Sequence, residues 1–218
     1  MNKIVSAIFN GEQAGLLSRR IALLIIFLLL LLVMLFFYPY VLAKPKTSLG
    51  LNAVENGIDI GLINQHDKKL RLSEFRGKPV ILSFIFTGCS SYCSTQVVHL
   101  NLLRKKLNEI IGSDAFAMVS VSLTPLIDTP EAMLAYRNQF SIDANNWHFT
   151  TGDPEPINQL INIVGTKVKR TDDPSDLDHT TQVYVLNQEG KLASTHLGTP
   201  LDSRGLESVI TTLAPNAQ

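Results

Sequence analysis

"VILSFIFTGCSSYC", residues 80–93, decides the fold and contains both cysteines of the chain. Its first seven residues form a nearly continuous apolar run rich in β-branched and aromatic side chains, which is typical of a strand buried on both faces. Beyond the cysteines, apolar residues recur at helical spacing as far as Ile111, and Gly112 is a helix stop signal. Cys89 and Cys93 therefore lie between a buried strand and an amphipathic helix, where α/β proteins tend to form sites.

The rest of the pattern alternates strands and helices. Two short strands are predicted around a polar turn at residues 66–69. The later elements are predicted as strands at 115–122 and 147–152, helices at 128–140, 153–165 and 201–214, and a hairpin at 182–196. This order predicts an α/β fold with a partly parallel central sheet, helices on both faces and a terminal antiparallel hairpin. We expect Trp147 and the two buried strands to belong to the core.

Composition excludes several classes of protein. The 218 residues carry 19 basic and 19 acidic side chains, a formal net charge of zero. No basic run or stacking motif points to nucleic acid. Two cysteines four positions apart are too few and too close for a disulfide scaffold.

The N-terminal region differs from the rest of the chain. Residues 21–37 are uncharged and apolar, and "YPYVLA" extends the run to residue 43, which predicts a transmembrane anchor at 21–43. The anchor would follow a cytoplasmic segment at 1–20 and precede a polar tether at 44–57 and one domain at 58–218. A cleaved signal peptide is the alternative, since Val41 and Ala43 resemble a cleavage site, but the run exceeds the usual length of about 7–15 residues. Both alternatives export the domain.

The spacing of Cys89 and Cys93 indicates that the two thiols act together. Residues four apart on a helix share a face, and a helix N-terminus favours thiolate over thiol. Thiolates are soft ligands for monovalent copper or zinc, and two sulfurs need a third ligand from elsewhere. Among five histidines, His179 is the candidate because it lies in the irregular acidic stretch "DDPSDLDHTTQVYV" rather than in a predicted core. A solvated loop residue is the alternative for His179, and Asp178 is a candidate to orient its ring.

At this point the chain resembles the Sco/SenC proteins, membrane-tethered copper chaperones of thioredoxin-like fold that serve cytochrome c oxidase. The resemblance covers about residues 55–213 and rests on "FTGCSSYC", "DTPEAMLAYRNQF", "WHFTTGD" and "DHTTQVYVLNQEGKL". It implies that Cys89, Cys93 and His179 bind copper. It also implies a copper-containing oxidase subunit or similar cuproprotein as partner. The expected location is the inner membrane, with a single pass and the domain in the periplasm or the mitochondrial intermembrane space.

Two stretches depart from the family pattern. The family usually has proline after each cysteine, whereas this chain has Ser90 and Ser94. The acidic residue of the family's "DPExDTP" is missing from "TPLIDTP", which has Thr124 and Leu126. Serine leaves the loop freer than proline and adds a hydroxyl near each sulfur.

Two enzymatic alternatives remain open beside the metallochaperone. One is a thiol-disulfide oxidoreductase that reduces client cysteines through Cys89 and Cys93, although its spacing is one residue longer than CxxC. The other is a peroxidase-like relative, which is disfavoured because no arginine lies close in sequence to the pair.

Overall fold

The computed structural model describes residues 23–35, 56–89, 92–170 and 177–215. The chain divides into two compact units, residues 1–48 and 49–218. In the first unit, residues 23–35 are helical with exposed side chains. Within the described ranges, no helix has both the length and the apolar character needed to cross a membrane. The predicted segment 1–20, much of the anchor at 21–43 and nearly all of the tether at 44–57 lie outside the described residues, so they stay predictions.

The second unit is built on a seven-stranded sheet with strand order β2-β1-β5-β4-β3-β8-β9 and a separate two-stranded sheet of β6 and β7. The strands are β1 (Gly61–Asn64), β2 (Lys69–Arg71), β3 (Val80–Ile85), β4 (Ala117–Ser122), β5 (Trp147–Thr151), β6 (Val168–Arg170), β7 (Leu177–His179), β8 (Gln182–Leu186) and β9 (Leu192–Leu197). Strands β3, β4 and β5 are parallel, while β8 and β9 form an antiparallel hairpin beside β3. The predicted mixed sheet is confirmed.

The described residues of the second unit also form four α-helices: α1 (Tyr92–Ile111), α2 (Pro130–Gln139), α3 (Pro154–Val164) and α4 (Ser203–Leu213). The first three connect strands, and α4 follows the last strand. Thr129 caps α2 by accepting a hydrogen bond from the backbone N–H of Ala132. Helix α3 ends at Gly165, whose φ of 78° lies in the left-handed region that glycine adopts at low cost. These two signals in the sequence match the helix ends, whereas Asp153 precedes α3 without making a side-chain capping hydrogen bond.

The two faces of the sheet bury separate hydrophobic clusters. Side chains alternate along β3, so that Leu82 and Phe84 join one cluster while Ile81 and Ile85 join the other. All six residues of β3 are buried. This explains why the β3 sequence is apolar throughout: helices cover both faces. Trp147 is buried, as predicted.

The small sheet of β6 and β7 was not predicted. The stretch before β8 was expected to be irregular, but residues 177–179 pair with β6 in antiparallel register, and Val168 faces His179. The acidic residues gave no strand signal because Asp is depleted in strands. Backbone pairing with β6 overrides that propensity.

Candidate metal centre

The cysteine loop begins where β3 ends. Phe86 follows the strand, and the backbone N–H of Cys89 donates to the Phe86 carbonyl oxygen (3.1 Å) to close a tight turn. Helix α1 begins at Tyr92, so Cys93 lies in its first turn while Cys89 precedes the helix. The two cysteines would share a helical face only if the segment from Cys89 onward were helical, and this condition is not met because only Cys93 is helical.

A hydrogen bond connects the two cysteines despite this difference. The backbone N–H of Cys93 donates to the Cys89 sulfur at 3.4 Å. Cys89 thus occupies the place of a capping side chain at the positive end of α1, where negative charge is favoured. Both residues are thiols, with Cys93 fully buried and Cys89 half-buried.

The electrostatics of Cys93 differ from the expectation of a thiolate at a helix N-terminus. Hydrogen bonding with the Cys89 side chain, burial and the Cys89 charge raise the pKa of the Cys93 thiol far above its usual range. Two neighbouring thiols in a buried place cannot easily both lose their protons, because like charges repel. A bound cation would supply the missing counter-charge and displace the protons.

His179 reaches the buried sulfur from the end of β7. Its Nε2 atom lies 3.4 Å from the Cys93 Sγ atom, across 86 positions of sequence. Its ring also packs edge-on against Phe86, with centroids 6.1 Å apart. The fold therefore brings the predicted histidine to the predicted cysteine.

The second ring nitrogen fixes which atom of His179 faces the sulfur. Nδ1 lies 3.0 Å from the carbonyl oxygen of Thr180. A carbonyl oxygen can only accept, so Nδ1 carries a proton, and in the neutral form of the ring the Nε2 lone pair points toward Cys93. This tautomer makes Nε2 the ring nitrogen that is available to bind a metal ion.

Asp178 does not orient His179 as predicted. Successive residues of a strand point to opposite faces, and the Asp178 side chain is exposed. The backbone of Thr180 holds the ring instead. Sequence could not reveal this partner, since every residue has a carbonyl group.

A fully buried carboxylate supports the cysteine loop. Asp128 accepts hydrogen bonds from the hydroxyls of Thr87 (2.5 Å), Ser122 (2.5 Å) and Thr124 (2.8 Å), and a longer one from the Thr87 backbone N–H. Thr87 is two residues before Cys89, so the carboxylate anchors the turn that carries the first thiol. Asp128 directly precedes Thr129, which caps helix α2.

The other four histidines occupy different places: His66, His99, His148 and His196. His148 packs against Phe75 (centroids 5.3 Å apart), and burial lowers the pKa of its imidazole. His196 connects Ser194 (2.8 Å) to Asp202 (2.9 Å), linking β9 to the start of α4. These contacts give both histidines structural roles.

The candidate ligands are close together but do not yet form a closed site. Across the parts of the chain that the structure describes, no group of three or more His, Cys, Asp or Glu side chains is close enough to hold a metal ion. Cys93 and His179 are in contact, and Cys89 lies beside Cys93. Two soft sulfurs and an imidazole are the donor set that monovalent copper prefers. Ser90 lies outside the described residues, whereas Ser94 lies in α1.

Comparison with known proteins identifies the family to which the chain is similar. A family model described as SCO1/SenC matches residues 52–213. The SCO1 protein homolog of Bacillus subtilis is 26% identical over 144 residues, which cover 64% of this chain and 74% of that protein. Two further curated relatives are longer, and the chain covers 50% and 44% of their lengths.

Solved structures show the same fold. Arabidopsis thaliana ScoI with copper bound matches with a TM-score of 0.61 and 25% identity, over 72% of this chain and 99% of that one. BsSco, a member of the Sco family of cytochrome c oxidase assembly proteins with a disulfide switch, matches with a TM-score of 0.64 and 24% identity, over 72% of this chain and 91% of that one. The architecture here is therefore the thioredoxin-like fold of Sco proteins.

Proposed function

The chain belongs to the SCO1/SenC family, and we propose that it is a membrane-anchored, copper-binding assembly factor. It delivers copper to cytochrome c oxidase or a similar cuproprotein, or matures the copper site there. Copper is its cargo, and the ligands are Cys89, Cys93 and His179. The observation that supports this most is the 3.4 Å approach of His179 Nε2 to the Cys93 sulfur.

Copper binding exchanges protons for a metal ion. The two thiols lose their protons as the ion arrives, and the Nε2 lone pair of His179 completes a three-coordinate site. The three side chains are not yet arranged around one point, so binding would draw His179 and the two sulfurs together. Because Cys93 is fully buried and Cys89 is half-buried, a client would reach the ion from the Cys89 side.

Copper stoichiometry of the reduced full-length chain, purified in detergent, tests this proposal. Under one competing chelator, we expect one monovalent copper ion for the parent and strong loss for Cys89→Ser and Cys93→Ser, because a hydroxyl is a poor ligand for a soft ion. His179→Ala should weaken binding by at least about tenfold. His148→Ala is the matched control, since that imidazole packs against Phe75. Equal affinity of the parent and His179→Ala would remove His179 from the ligand set.

A second candidate function uses the same sulfurs. The contact between Cys89 and the first turn of α1 favours a thiol-disulfide oxidoreductase that reduces client cysteines. The half-buried Cys89 sulfur would attack a client disulfide, Cys93 would resolve the mixed disulfide, and two client thiols would leave as a Cys89–Cys93 disulfide forms. A parent that binds no copper, yet reduces a model disulfide with or without His179, would favour this function over copper delivery.

The proposed topology rests on the sequence. Residues 1–20 would be cytoplasmic, 21–43 would span the membrane, 44–57 would be the tether and 58–218 would form the exported copper-binding domain. The two arginines before the apolar run and its absence of charge support this orientation. Protease added outside spheroplasts should digest the domain, and protection of the domain would overturn the topology.

A further inference from the structure

Gly198, which follows β9, is a point of close approach between two parts of the chain. It is buried, and its φ lies outside the left-handed region, so its backbone conformation does not require glycine. A methyl group on its Cα atom would nevertheless overlap the side-chain amide of Gln96 and the carbonyl oxygen of Thr181. The lack of a side chain at position 198 is therefore a matter of space.

Gln96 connects this point to the cysteine side of the centre. It lies on α1 three residues after Cys93, so the two side chains are neighbours on one face of the helix. The residue is 1% exposed, and within the described ranges its Nε2 atom has no hydrogen-bond partner. Packing against Gly198, rather than a hydrogen bond from that nitrogen, therefore holds the end of the side chain in place.

Thr181 connects the same point to His179. Its carbonyl oxygen accepts a hydrogen bond from the Gly198 backbone N–H at 2.6 Å. Thr181 is two residues after His179, and the residue between them, Thr180, supplies the carbonyl group that holds the His179 ring. A shift of the main chain at Thr181 would therefore reach the ring within two residues.

The two sides of this contact are held with different strength. Helix α1 is packed into the core by fully buried side chains that include Val97, Leu100 and Leu107. Residues 177–179 pair only with β6 in the small sheet and have no fully buried side chain. A group added at position 198 would therefore displace the segment that carries the histidine rather than the helix that carries the buried cysteine.

We propose that Gly198 and Gln96 set the distance between α1 and residues 179–181, and thereby hold His179 against Cys93. Both are positioning residues, since neither is a ligand. Gly198 allows the two segments to approach, and the Gln96 side chain fills the space that remains between them. The inference rests on the proposed function in that Cys93 and His179 are taken as ligands of one ion.

The contact between the rings of His179 and Phe86 measures this distance without copper. Their centroids are 6.1 Å apart, which allows cross-relaxation between the ring protons in NMR spectra of the metal-free full-length chain in detergent. Gly198→Ala should abolish this signal, because the methyl group displaces the segment that carries His179. An undiminished signal in Gly198→Ala would overturn the inference.

Two variants of Gln96 test its role as a filler of space. Gln96→Ala removes the side chain between α1 and Gly198 and should also lose the ring signal. Gln96→Met keeps a flexible side chain of similar length and should retain the signal, because the amide nitrogen makes no hydrogen bond that would be lost. If Gly198→Ala fails to melt cooperatively, these two variants decide, and equal signals in both would overturn the inference.

Gly205→Ala is the matched control for a crowded glycine. The φ of Gly205 also lies outside the left-handed region, and a methyl group there would overlap the Asp202 carboxylate and lie 2.9 Å from the Nδ1 atom of His196. These groups belong to β9 and the start of α4, so the variant should keep the ring signal of the parent. A loss as large as that in Gly198→Ala would show a general effect of crowding and overturn the inference.

Copper affinity extends the test to the proposed function. Gly198→Ala should weaken copper binding at least about tenfold, as is typical when the support of a ligand is lost. The double variant with His179→Ala should match His179→Ala alone, because Gly198 acts only through the histidine, and fully additive losses would overturn the inference. A parent that binds no copper refutes the proposed function, and the ring signal of the metal-free protein then decides the inference alone.

Discussion

The two parts of the candidate metal centre belong to different sheets. The cysteine half, which contains Cys89 and Cys93, follows a strand of the seven-stranded sheet, whereas the histidine half, which contains His179, ends a strand of the two-stranded sheet. The turn that carries Cys89 follows β3, all of whose residues are buried, and Asp128 anchors it at Thr87. His179 ends β7, a three-residue strand with no fully buried side chain that pairs with β6.

This difference indicates how the site is assembled. The cysteine half has the buried contacts of the domain core, so its geometry is set by folding. The histidine half has few buried contacts and belongs to the part of a fold that opens at low free energy. The histidine half is therefore expected to be displaced more easily than the cysteine half.

The largest expected effect comes from placing a charge beneath the cysteine half. Val119 pairs with Leu82 in the parallel ladder of β3 and β4, and both are fully buried. Val119→Asp should destabilise the domain by more than about 3 kcal/mol, because an unpaired carboxylate is left in the core. Leu177→Asp on the half-buried β7 should cost roughly 1–2 kcal/mol. If thermal unfolding showed equal losses of stability for the two variants, the cysteine half would not be more strongly stabilised than the histidine half.

Removing the buried anchor should have the next largest effect. Asp128→Ala leaves the hydroxyls of Thr87, Ser122 and Thr124 without their shared acceptor, which should cost about 2–4 kcal/mol in denaturant unfolding. Copper affinity should fall as well, because the Cys89 turn loses its fixed place. Asp114→Ala, at an exposed turn, should change neither quantity, and a similar loss there would discredit the anchor.

A smaller change in stability is expected in the histidine half. His179→Ala removes a half-buried ring and its bond to the Thr180 carbonyl, so unfolding of the metal-free protein should change by less than about 1 kcal/mol. Copper should stabilise the parent more than this variant, because binding to the folded state adds to its stability. Melting temperatures with and without copper measure both. A large loss in the metal-free protein would make His179 part of the core.

The smallest expected effect lies outside both halves. A hydrogen bond from His196 and another from the backbone of Gly205 lower the pKa of Asp202. A carboxylate with a lowered pKa adds stability above its unfolded pKa of about 3.9, and this is lost as pH falls through the folded value. The parent should therefore lose more melting temperature than Asp202→Asn between pH 5 and pH 2.5. Parallel curves for the two proteins would refute this contribution.

The predictable parts of the fold are those in which local pattern and tertiary environment agree. The apolar run of β3 could be read as a doubly buried strand because no polar residue interrupts its core contacts except Ser83, which bonds Ser120. The start of α2 carries a local signal in Thr129, Pro130 and Glu131, each of which suits a helix N-terminus.

The features that were not predicted depend on backbone groups and tertiary contacts, which leave no recognisable pattern in the sequence. Strand β7 forms because its backbone pairs with β6, and no side-chain alternation marks it. The orientation of His179 depends on a carbonyl group rather than on Asp178. Asp128 looks like a helix cap until the fold surrounds it with hydroxyls from β4 and the cysteine loop.

Because a backbone carbonyl group, that of Thr180, fixes the His179 ring, the orientation of the ring depends little on side-chain substitutions nearby. A carboxylate partner could be lost by one substitution, whereas every amino acid supplies a backbone carbonyl. Ring orientation is therefore encoded by the path of the main chain and tolerates any exchange at position 180 that preserves this path. Asp178, the acidic residue beside the histidine, can then be exchanged while the nitrogen lone pair keeps its direction.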